Sequence, residues 1–173
     1  FSEKVEDDAR RRDFTMNALY ATPDGMVVDP LGGISDLRHR RVRFIDDADA
    51  RIREDYLRIL RYFRFHAWYG DPGLGMDADA LAAIAEYAHG IETLSRERLG
   101  AEMLKLLAAP DPAISVAAMR ASGVLMQVFS CADDKALAPL VHLETLVGAK
   151  VDPIRRLAAV GGENVSGALR LSK

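Results

Sequence analysis

Apolar residues recur at helical spacing through the stretch from Asp49 to Gly70. On a helical wheel of about 100° per residue, five of them share one face, and charged residues take the other. The apolar set is Ile52, Tyr56, Ile59, Leu60 and Phe63. The pattern predicts one long amphipathic helix that buries this face and ends at Gly70.

Further helical segments follow. Each begins near Pro, Asp or Asn, and most end near Gly. Asp77 or Asp79 is predicted to cap the first of them, Ser95 to start the next and Pro110 to stop it. Ala and Leu recur with few β-branched residues, which favours helices packed on helices. The predicted segments are residues 77–91, 95–110, 112–124, 135–149, 152–160 and 163–172.

The first 45 residues have a different pattern, in which short β-prone runs alternate with turn signals such as Pro23-Asp24-Gly25. They predict a small hairpin or sheet edge, with a short helical turn at residues 34–40. The β-prone runs are Ala18–Tyr20, Met26–Val28 and Val42–Ile45. The predicted fold class is therefore α+β and predominantly helical.

Composition narrows the function only slightly. The chain has 173 residues and a formal net charge of −3, so any nucleic-acid site must be a local patch. One cysteine, Cys131, suits a reducing cytosol. No apolar run approaches the roughly 18 residues of a membrane span, so a cytoplasmic protein without a membrane partner is predicted. Because the chain opens on Phe1 and stops in a polar run, it is expected to be a piece of a longer protein.

Charge on the predicted long helix follows a regular order. Four residues, which we call the row of charge, are Asp55, Arg58, Arg61 and Arg64. On a helix they would form a shallow spiral about 13 Å long, at 1.5 Å rise per residue. Such a spiral could follow one nucleotide from base to phosphates. The alternative is a solvated face, on which Glu54 and Asp55 form ordinary intrahelical ion pairs with Arg58.

Two earlier segments accompany this row. "RRRDFTMNAL" joins three arginines to an acid and Asn17, although a basic turn in which Asn17 bonds its own backbone would explain it equally. "DPLGGISDLRHRRVRFI" supplies a glycine pair, Asp36 and a basic run.

In this order and spacing, the three segments resemble the class II nucleotidyltransferases, which comprise the CCA-adding enzymes of tRNA and the bacterial poly(A) polymerases. "RRDFTMNAL" is similar to the family's RRDxTxNA motif, "DPLGGISDL" to DPxxGxxDL and "EDYLRILRYFRF" to EDxxRxxRxxRF. "SRERLGAEMLKLL" resembles the (S/T)xERxxxE helix of the family's neck, and "DPIRRLAAV" and "LRLSK" resemble the start of its body.

The resemblance implies a domain division and a site. Residues 1–48 would be the C-terminal part of the nucleotidyltransferase head, residues 49–130 a helical neck and residues 131–173 the start of the helical body. It places nucleotide contacts on six residues: Arg12, Asn17, Asp55, Arg58, Arg61 and Arg64.

Hydrogen-bond chemistry supports this assignment independently. A carboxylate only accepts hydrogen bonds and a guanidinium only donates them. The pair Asp55 and Arg58 could therefore accept the amino group of C or A and donate to the adjacent ring nitrogen, while refusing U and G. Arg61 and Arg64 suit phosphate oxygens.

The family's reaction joins an RNA 3′-hydroxyl to the α-phosphate of a nucleoside triphosphate, with two metal ions held by carboxylates. The resemblance implies Mg²⁺ in the complete enzyme. Its ligands, a DxD pair behind a GG-x-x-R loop, are not found in that setting here, so no catalytic or metal-binding residue is assigned to this chain. Asp47-Ala-Asp49 and Asp77-Ala-Asp79 are interpreted as helix caps, and Gly32-Gly33 as a turn that opens no phosphate-binding helix.

The predicted function is template-independent CCA addition to RNA 3′ ends, with ATP, CTP and tRNA or other RNA 3′ ends as partners. This chain would select the base and hold the nucleotide, and it would be inactive alone. One alternative is a bacterial poly(A) polymerase of the same family. Another, of a different class, is a non-enzymatic helical RNA-binding module.

Overall fold

The computed structural model of the protein describes residues 4–163 and 165–170; of the run "LRLSK", residues 171–173 lie outside this part. The β structure is one antiparallel hairpin of β1 (Tyr20–Ala21) and β2 (Val27–Val28), in which Tyr20 pairs with Val28 and Ala21 with Val27. The predicted turn lies between them, where Gly25 has a φ of +87° that suits glycine. The third β-prone run contributes one bridge, from Phe44 to Phe14.

Short helices surround this hairpin. A helix precedes it (α1, Val5–Arg11), then a 3₁₀ turn (Thr15–Asn17), and a second helix follows it (α2, Gly33–Arg38). The helical turn predicted at residues 34–40 therefore forms, slightly earlier in the chain than expected.

From residue 48 onward, every secondary-structure element of the described chain is a helix. The helices are α3 (Ala48–Glu54), α4 (Leu57–Tyr69), α5 (Ala78–Tyr87), a 3₁₀ helix (Ala88–Thr93), α6 (Arg96–Leu107), α7 (Ala113–Ala121), α8 (Val124–Val128), α9 (Leu137–Leu146), α10 (Pro153–Val160) and α11 (Val165–Leu169). The predicted α+β, mostly helical class is confirmed. The short helix α8 was not predicted as a separate element.

Helix starts follow the caps that the sequence predicted. The carboxylate of Asp77 accepts from the Ala80 amide at 2.9 Å, and the Ser95 hydroxyl accepts from the Arg98 amide at 3.4 Å. Asp152, which precedes Pro153, accepts from two amides at the start of α10. These side chains satisfy N–H groups that a helix leaves unpaired at its first turn.

The prediction of one continuous helix from Asp49 to Gly70 is wrong, because the chain breaks at Asp55. This residue is extended, with φ −156° and ψ 105°, and its carboxylate accepts from the Leu57 amide at 3.1 Å. A short acidic side chain can thus replace a helical hydrogen bond and end one helix while capping the next. Asp55 therefore lies outside α4, and the spiral of charge is not a single helical surface.

The apolar face of α4 is buried as predicted. Ile59, Leu60 and Phe63 are at most 1% exposed, and α4 packs on α6 and α7. The main hydrophobic cluster draws residues from the segments on either side of the hairpin, from the central helices and from α9 to α11. The division at residues 48 and 130 stays a prediction. Within the described residues, no helix is long and apolar enough to cross a membrane.

Candidate nucleotide-binding site

The first two motif segments pack directly on each other. The buried carboxylate of Asp36 accepts from the Thr15 hydroxyl at 2.5 Å and from Arg43 Nε at 3.0 Å. Gly33 lies so close to the backbone of Thr15 that a Cβ at this position would meet its carbonyl oxygen at 2.0 Å. Glycine is therefore required here for close approach of the two chains.

The third segment is attached to the first through Asp13. Arg58 Nε donates to one carboxylate oxygen of Asp13 at 2.8 Å, and Arg61 Nη1 donates to the other at 2.7 Å. The Asp13 side chain is 11% exposed, so both contacts are shielded from water. A second attachment comes from the buried Arg51 of α3, whose guanidinium donates to the carbonyls of Arg11 and Arg12.

The two ends of the predicted row turn instead toward α6. Asp55 accepts from Arg98 Nη2 at 2.7 Å, and Arg64 Nε donates to Glu102 at 2.6 Å. Arg98 and Glu102 lie four residues apart on α6 and therefore share one face of that helix. The middle of the row is thus held by Asp13 of the first motif segment, and its ends are held by α6.

Arg12 and Asn17 have local partners. Arg12 donates to Asp8 at 3.2 Å, and its guanidinium lies 5.7 Å from the centre of the Tyr20 ring. A hydrogen bond from Tyr20 lowers the pKa of Asp8, and the hydrogen bond from Arg12 adds to this effect. Asn17 Oδ1 accepts from the Phe14 amide at 3.1 Å, which is the backbone contact expected under the alternative interpretation.

The solvated-face alternative is only partly matched by the structure. Glu54 does pair with Arg58 at 2.5 Å, but Asp55 pairs with Arg98 rather than with Arg58. The Arg58 side chain is 11% exposed, far less than a solvated face would give. Burial opposes the charged form of Arg58, but its hydrogen bonds to Glu54 and Asp13 outweigh this effect and raise its pKa.

Two guanidinium donors in the middle of the row have no hydrogen-bond partner among the described residues. Arg58 uses Nε and Nη1, whereas its Nη2 makes no hydrogen bond to a residue that the structure describes. Arg61 Nε is buried and has no partner among the described residues. A buried donor without a partner is costly in a folded protein, so an acceptor supplied by a ligand is the natural complement.

Asp13, Arg98 and Glu102 were missed as site residues because their roles depend on contacts between distant segments. Asp13 follows Arg12 in the first motif, yet its partners lie 45 and 48 positions later. A signal did exist for the other two, since "ERLGAE" places Arg98 and Glu102 four residues apart, on one face of a helix.

In each aspartate pair, the first aspartate caps a helix. Asp47 accepts from the Ala50 amide at 3.0 Å, and Asp77 caps α5.

The glycine pair departs from the prediction, because the helix α2 begins at Gly33. The first amides of this short helix are already bound by Asp29, at 2.7 and 3.0 Å, so they are not free for phosphate. Among the described residues, no group of three or more His, Cys, Asp and Glu side chains could hold a metal ion.

Two family models match the sequence. The model described as "Poly A polymerase head domain" matches residues 1–43. The model described as "Probable RNA and SrmB-binding site of polymerase A" matches residues 73–135. The row of charge falls between the two matched stretches.

Curated relatives give the same family. The human mitochondrial CCA tRNA nucleotidyltransferase 1 is 44% identical over 107 residues, which are 62% of this chain and 25% of that protein. The CCA-adding enzyme of Levilactobacillus brevis is 32% identical over 152 residues, or 88% of this chain and 38% of that protein. The chain thus spans about a quarter to two fifths of these relatives' length.

Solved structures agree. The Bacillus stearothermophilus CCA-adding enzyme in complex with CTP is 36% identical and has a TM-score of 0.66, over 72% of this chain and 31% of that one. The Thermotoga maritima CCA-adding enzyme complexed with tRNA has a TM-score of 0.73 at 22% identity, over 96% of this chain and 43% of that one, which bears on the fold alone. The chain belongs to the family of CCA-adding enzymes and poly(A) polymerases.

Proposed function

We propose that this chain is the base-selecting and nucleotide-holding part of an enzyme that adds CCA to tRNA 3′ ends from CTP and ATP without a nucleic-acid template. The observation that carries the proposal is the fixation of Arg58 and Arg61 on the buried carboxylate of Asp13, with guanidinium donors left over. Arginines held in this way are preorganised, so little conformational freedom is lost when a ligand binds.

Base selection would rest on Asp55 and Arg58. Each oxygen of Asp55 accepts one hydrogen bond in the structure, and a carboxylate oxygen has a second lone pair for another. Such an oxygen suits the amino group of C or A, and the spare Nη2 of Arg58 suits the adjacent ring nitrogen. U and G carry an N–H group where C and A have that nitrogen. This N–H group would face the Nη2 donor of Arg58, and no hydrogen bond could form between the two donors.

The remaining predicted contacts would hold the sugar and the triphosphate. Arg61 has an unpaired Nε, and Arg64 lies one further turn along α4, where its exposed fraction is 19%. Arg12 is half exposed beside Tyr20, and its partner Asp8 is itself half exposed. Phosphate oxygens could replace or share these partners, since charge-assisted contacts with arginine are among the stronger hydrogen bonds.

The reaction of the complete enzyme would use divalent metal ions, for which we propose Mg²⁺. The described residues do not fit that role, because they include no cluster of three potential ligands. The two aspartate pairs are engaged at helix starts. We therefore assign this chain positioning and selection of the nucleotide, and no step at the metal. A cytoplasmic location remains part of the proposal.

Two alternatives make different predictions for nucleotide binding. One alternative is a poly(A) polymerase of the same family, the class that the descriptions of both matching family models name. Such an enzyme would prefer ATP over CTP as a substrate. A helical RNA-binding module without enzymatic function would show no preference among the four nucleotides. The donors of Arg58 and Arg61 that have no partner among the described residues support a nucleotide-binding protein over such a module.

The test is equilibrium competition of ATP, CTP, GTP and UTP for the purified chain at low salt. We expect weak binding in which ATP and CTP compete better than GTP and UTP. Equal competition by all four would overturn the base-selecting role. A preference for ATP over CTP in both binding and incorporation by the complete protein would favour the poly(A) polymerase.

A further inference from the structure

Beyond the row of charge, the C-terminal end of α4 carries an open groove with aromatic walls and cationic edges. We call it the Trp68 groove and define it by its lining residues: Arg64, Trp68, Tyr69, Lys105 and Ala108. Its volume is about 270 Å³, slightly below the roughly 300–1,000 Å³ of pockets that enclose a whole small-molecule ligand. An open groove of this size suits one base of a longer strand.

The aromatic side chains of the groove are exposed yet fixed in place. Trp68 is 40% exposed and Tyr69 is 47% exposed. The Trp68 indole Nε1 donates to the Lys105 carbonyl at 2.8 Å, and the Tyr69 ring packs against Phe65 with 5.5 Å between ring centres. Held rings with exposed surface provide a stacking platform at low cost in conformational entropy.

The charge of the groove is positive. The carboxylate of Glu102 is shared between Arg64, at 2.6 Å, and Lys105, at 3.2 Å, so two cations meet one anion. The Glu102 side chain is 5% exposed whereas that of Lys105 is 59% exposed, so a ligand would meet the cations first. This local excess stands out in a chain whose net charge is −3.

Positive charge continues past Tyr69. The guanidinium of Arg40 donates to the Tyr69 carbonyl at 3.3 Å, and Arg40 belongs to an exposed basic run, Arg38 to Arg41. At the other end, Arg64 is shared with the candidate nucleotide site. The groove therefore connects that site to a basic surface, as a bound strand would require.

We propose that the Trp68 groove binds an unpaired segment of RNA, with a base stacked on Trp68 or Tyr69 and phosphates near Lys105 and Arg40. The proposal rests on the proposed function, which supplies an RNA substrate. Stacking on aromatic rings requires bases that are not paired in a duplex, while flanking cations hold the backbone without regard to sequence. The groove would thus hold single-stranded RNA close to the site of nucleotide selection.

Trp68 is the single tryptophan of the chain, so tryptophan fluorescence reports on this residue alone. The probe is hexaadenylate, titrated into the purified full chain at low salt. We expect saturable quenching of Trp68 emission, and much weaker quenching by an RNA duplex of the same length. Hexaadenylate that leaves the emission unchanged would overturn the proposal.

Substitutions at two positions assign the contacts. Tyr69→Leu should weaken binding roughly tenfold, because it removes a stacking ring, while Tyr69→Phe should retain it. Lys105→Gln should lower the slope of log affinity against log salt by about 0.7, the value for one lost phosphate contact on a single strand. Lys135→Gln is the matched control, since Lys135 is 86% exposed and outside the groove.

The outcomes separate this proposal from the proposed function. If ATP and CTP bind selectively but Tyr69→Leu and Lys105→Gln both bind hexaadenylate like the wild type, the groove is wrong and nucleotide selection stands. If hexaadenylate quenches Trp68 with the expected variant effects but the four nucleotides compete equally, the groove stands and base selection is wrong. Lys105→Gln alters an exposed side chain, so its result does not depend on a variant that fails to fold.

Discussion

Asp13 brings together two arginines that are three residues apart on α4, and it does so from a segment far away in sequence. The arginine spacing was evident from the sequence, but the carboxylate that fixes it was not. Such a contact depends on tertiary packing, which no local pattern encodes. By contrast, the caps at Asp47, Asp77 and Ser95 were predictable because a cap depends only on its own helix.

Asp13→Asn should lower the free energy of unfolding by about 3 kcal/mol, because it removes the carboxylate that Arg58 and Arg61 share and leaves Arg58 with Glu54 as its remaining ion-pair partner. Chemical denaturation measures the loss. Asp46→Asn is the matched control: Asp46 also pairs with an arginine, but both side chains are about 60% exposed. Its effect should stay below about 1 kcal/mol. Equal effects of the two variants would show that Asp13 does not hold the row.

His66 gives stability a pH dependence. It is 5% exposed, its Nδ1 lies 3.0 Å from the Ser115 hydroxyl, and burial lowers its pKa below the ordinary value of 6.5. The unfolded chain therefore takes up a proton on acidification before the folded chain does. Stability should fall as the pH drops from 7 to 5, by at most about 1.4 kcal/mol per pH unit.

Denaturation at several pH values checks this prediction, with His66→Gln as the comparison. The variant should be less stable at pH 7 but should lack most of the decline between pH 7 and 5. If both proteins decline in parallel, another group is responsible.

At the scale of secondary-structure elements, the sequence predicted which face of the central helix is buried but not where that helix begins. Periodicity identified Ile59, Leu60 and Phe63 correctly because one buried face recurs through the whole segment. Ile52 before the break and Ile59 after it are both buried, so the apolar pattern continues across Asp55 and does not reveal the break. The break bears on the proposed base contact, since Asp55 lies outside α4 and pairs with Arg98 on α6.

Leu60→Asp should destabilise the protein by at least about 3 kcal/mol, because it places an unpaired charge on the buried face of α4. Thermal or chemical denaturation measures the change. Leu146→Asp makes the same substitution at the exposed C-terminal end of α9, where Leu146 is 72% exposed, and its effect should stay within about 1 kcal/mol. Unchanged stability of the Leu60 variant would mean that the face has been assigned wrongly.

At the scale of the whole molecule, the three motif segments lie next to one another. That they together contact one nucleotide was predicted mainly from the resemblance to the family. The structure adds how they are joined: Asp36 and Gly33 attach the second segment to the first, and Asp13 attaches the first to α4. The contact of Asp13 with the row, and the groove beyond the row, could not be predicted because they depend on how distant segments pack.

The purified chain is expected to add no nucleotide to RNA. Arginine stays protonated and cannot act as a base, and Asp55 is engaged with Arg98 and the Leu57 amide. The assay uses tRNA lacking its 3′ end, magnesium and labelled ATP and CTP. Steady incorporation that is lost in Asp49→Asn or Asp79→Asn would show that an aspartate pair binds metal.

The most direct test of base selection compares Asp55→Ala with Arg64→Ala in competition binding with ATP, CTP, GTP and UTP. The two variants are matched, because each breaks one ion pair between the row and α6. Asp55→Ala should reduce the preference for ATP and CTP more than it weakens binding overall. Arg64→Ala should weaken all four while keeping the preference. Equal losses for all four nucleotides in both variants would contradict the account.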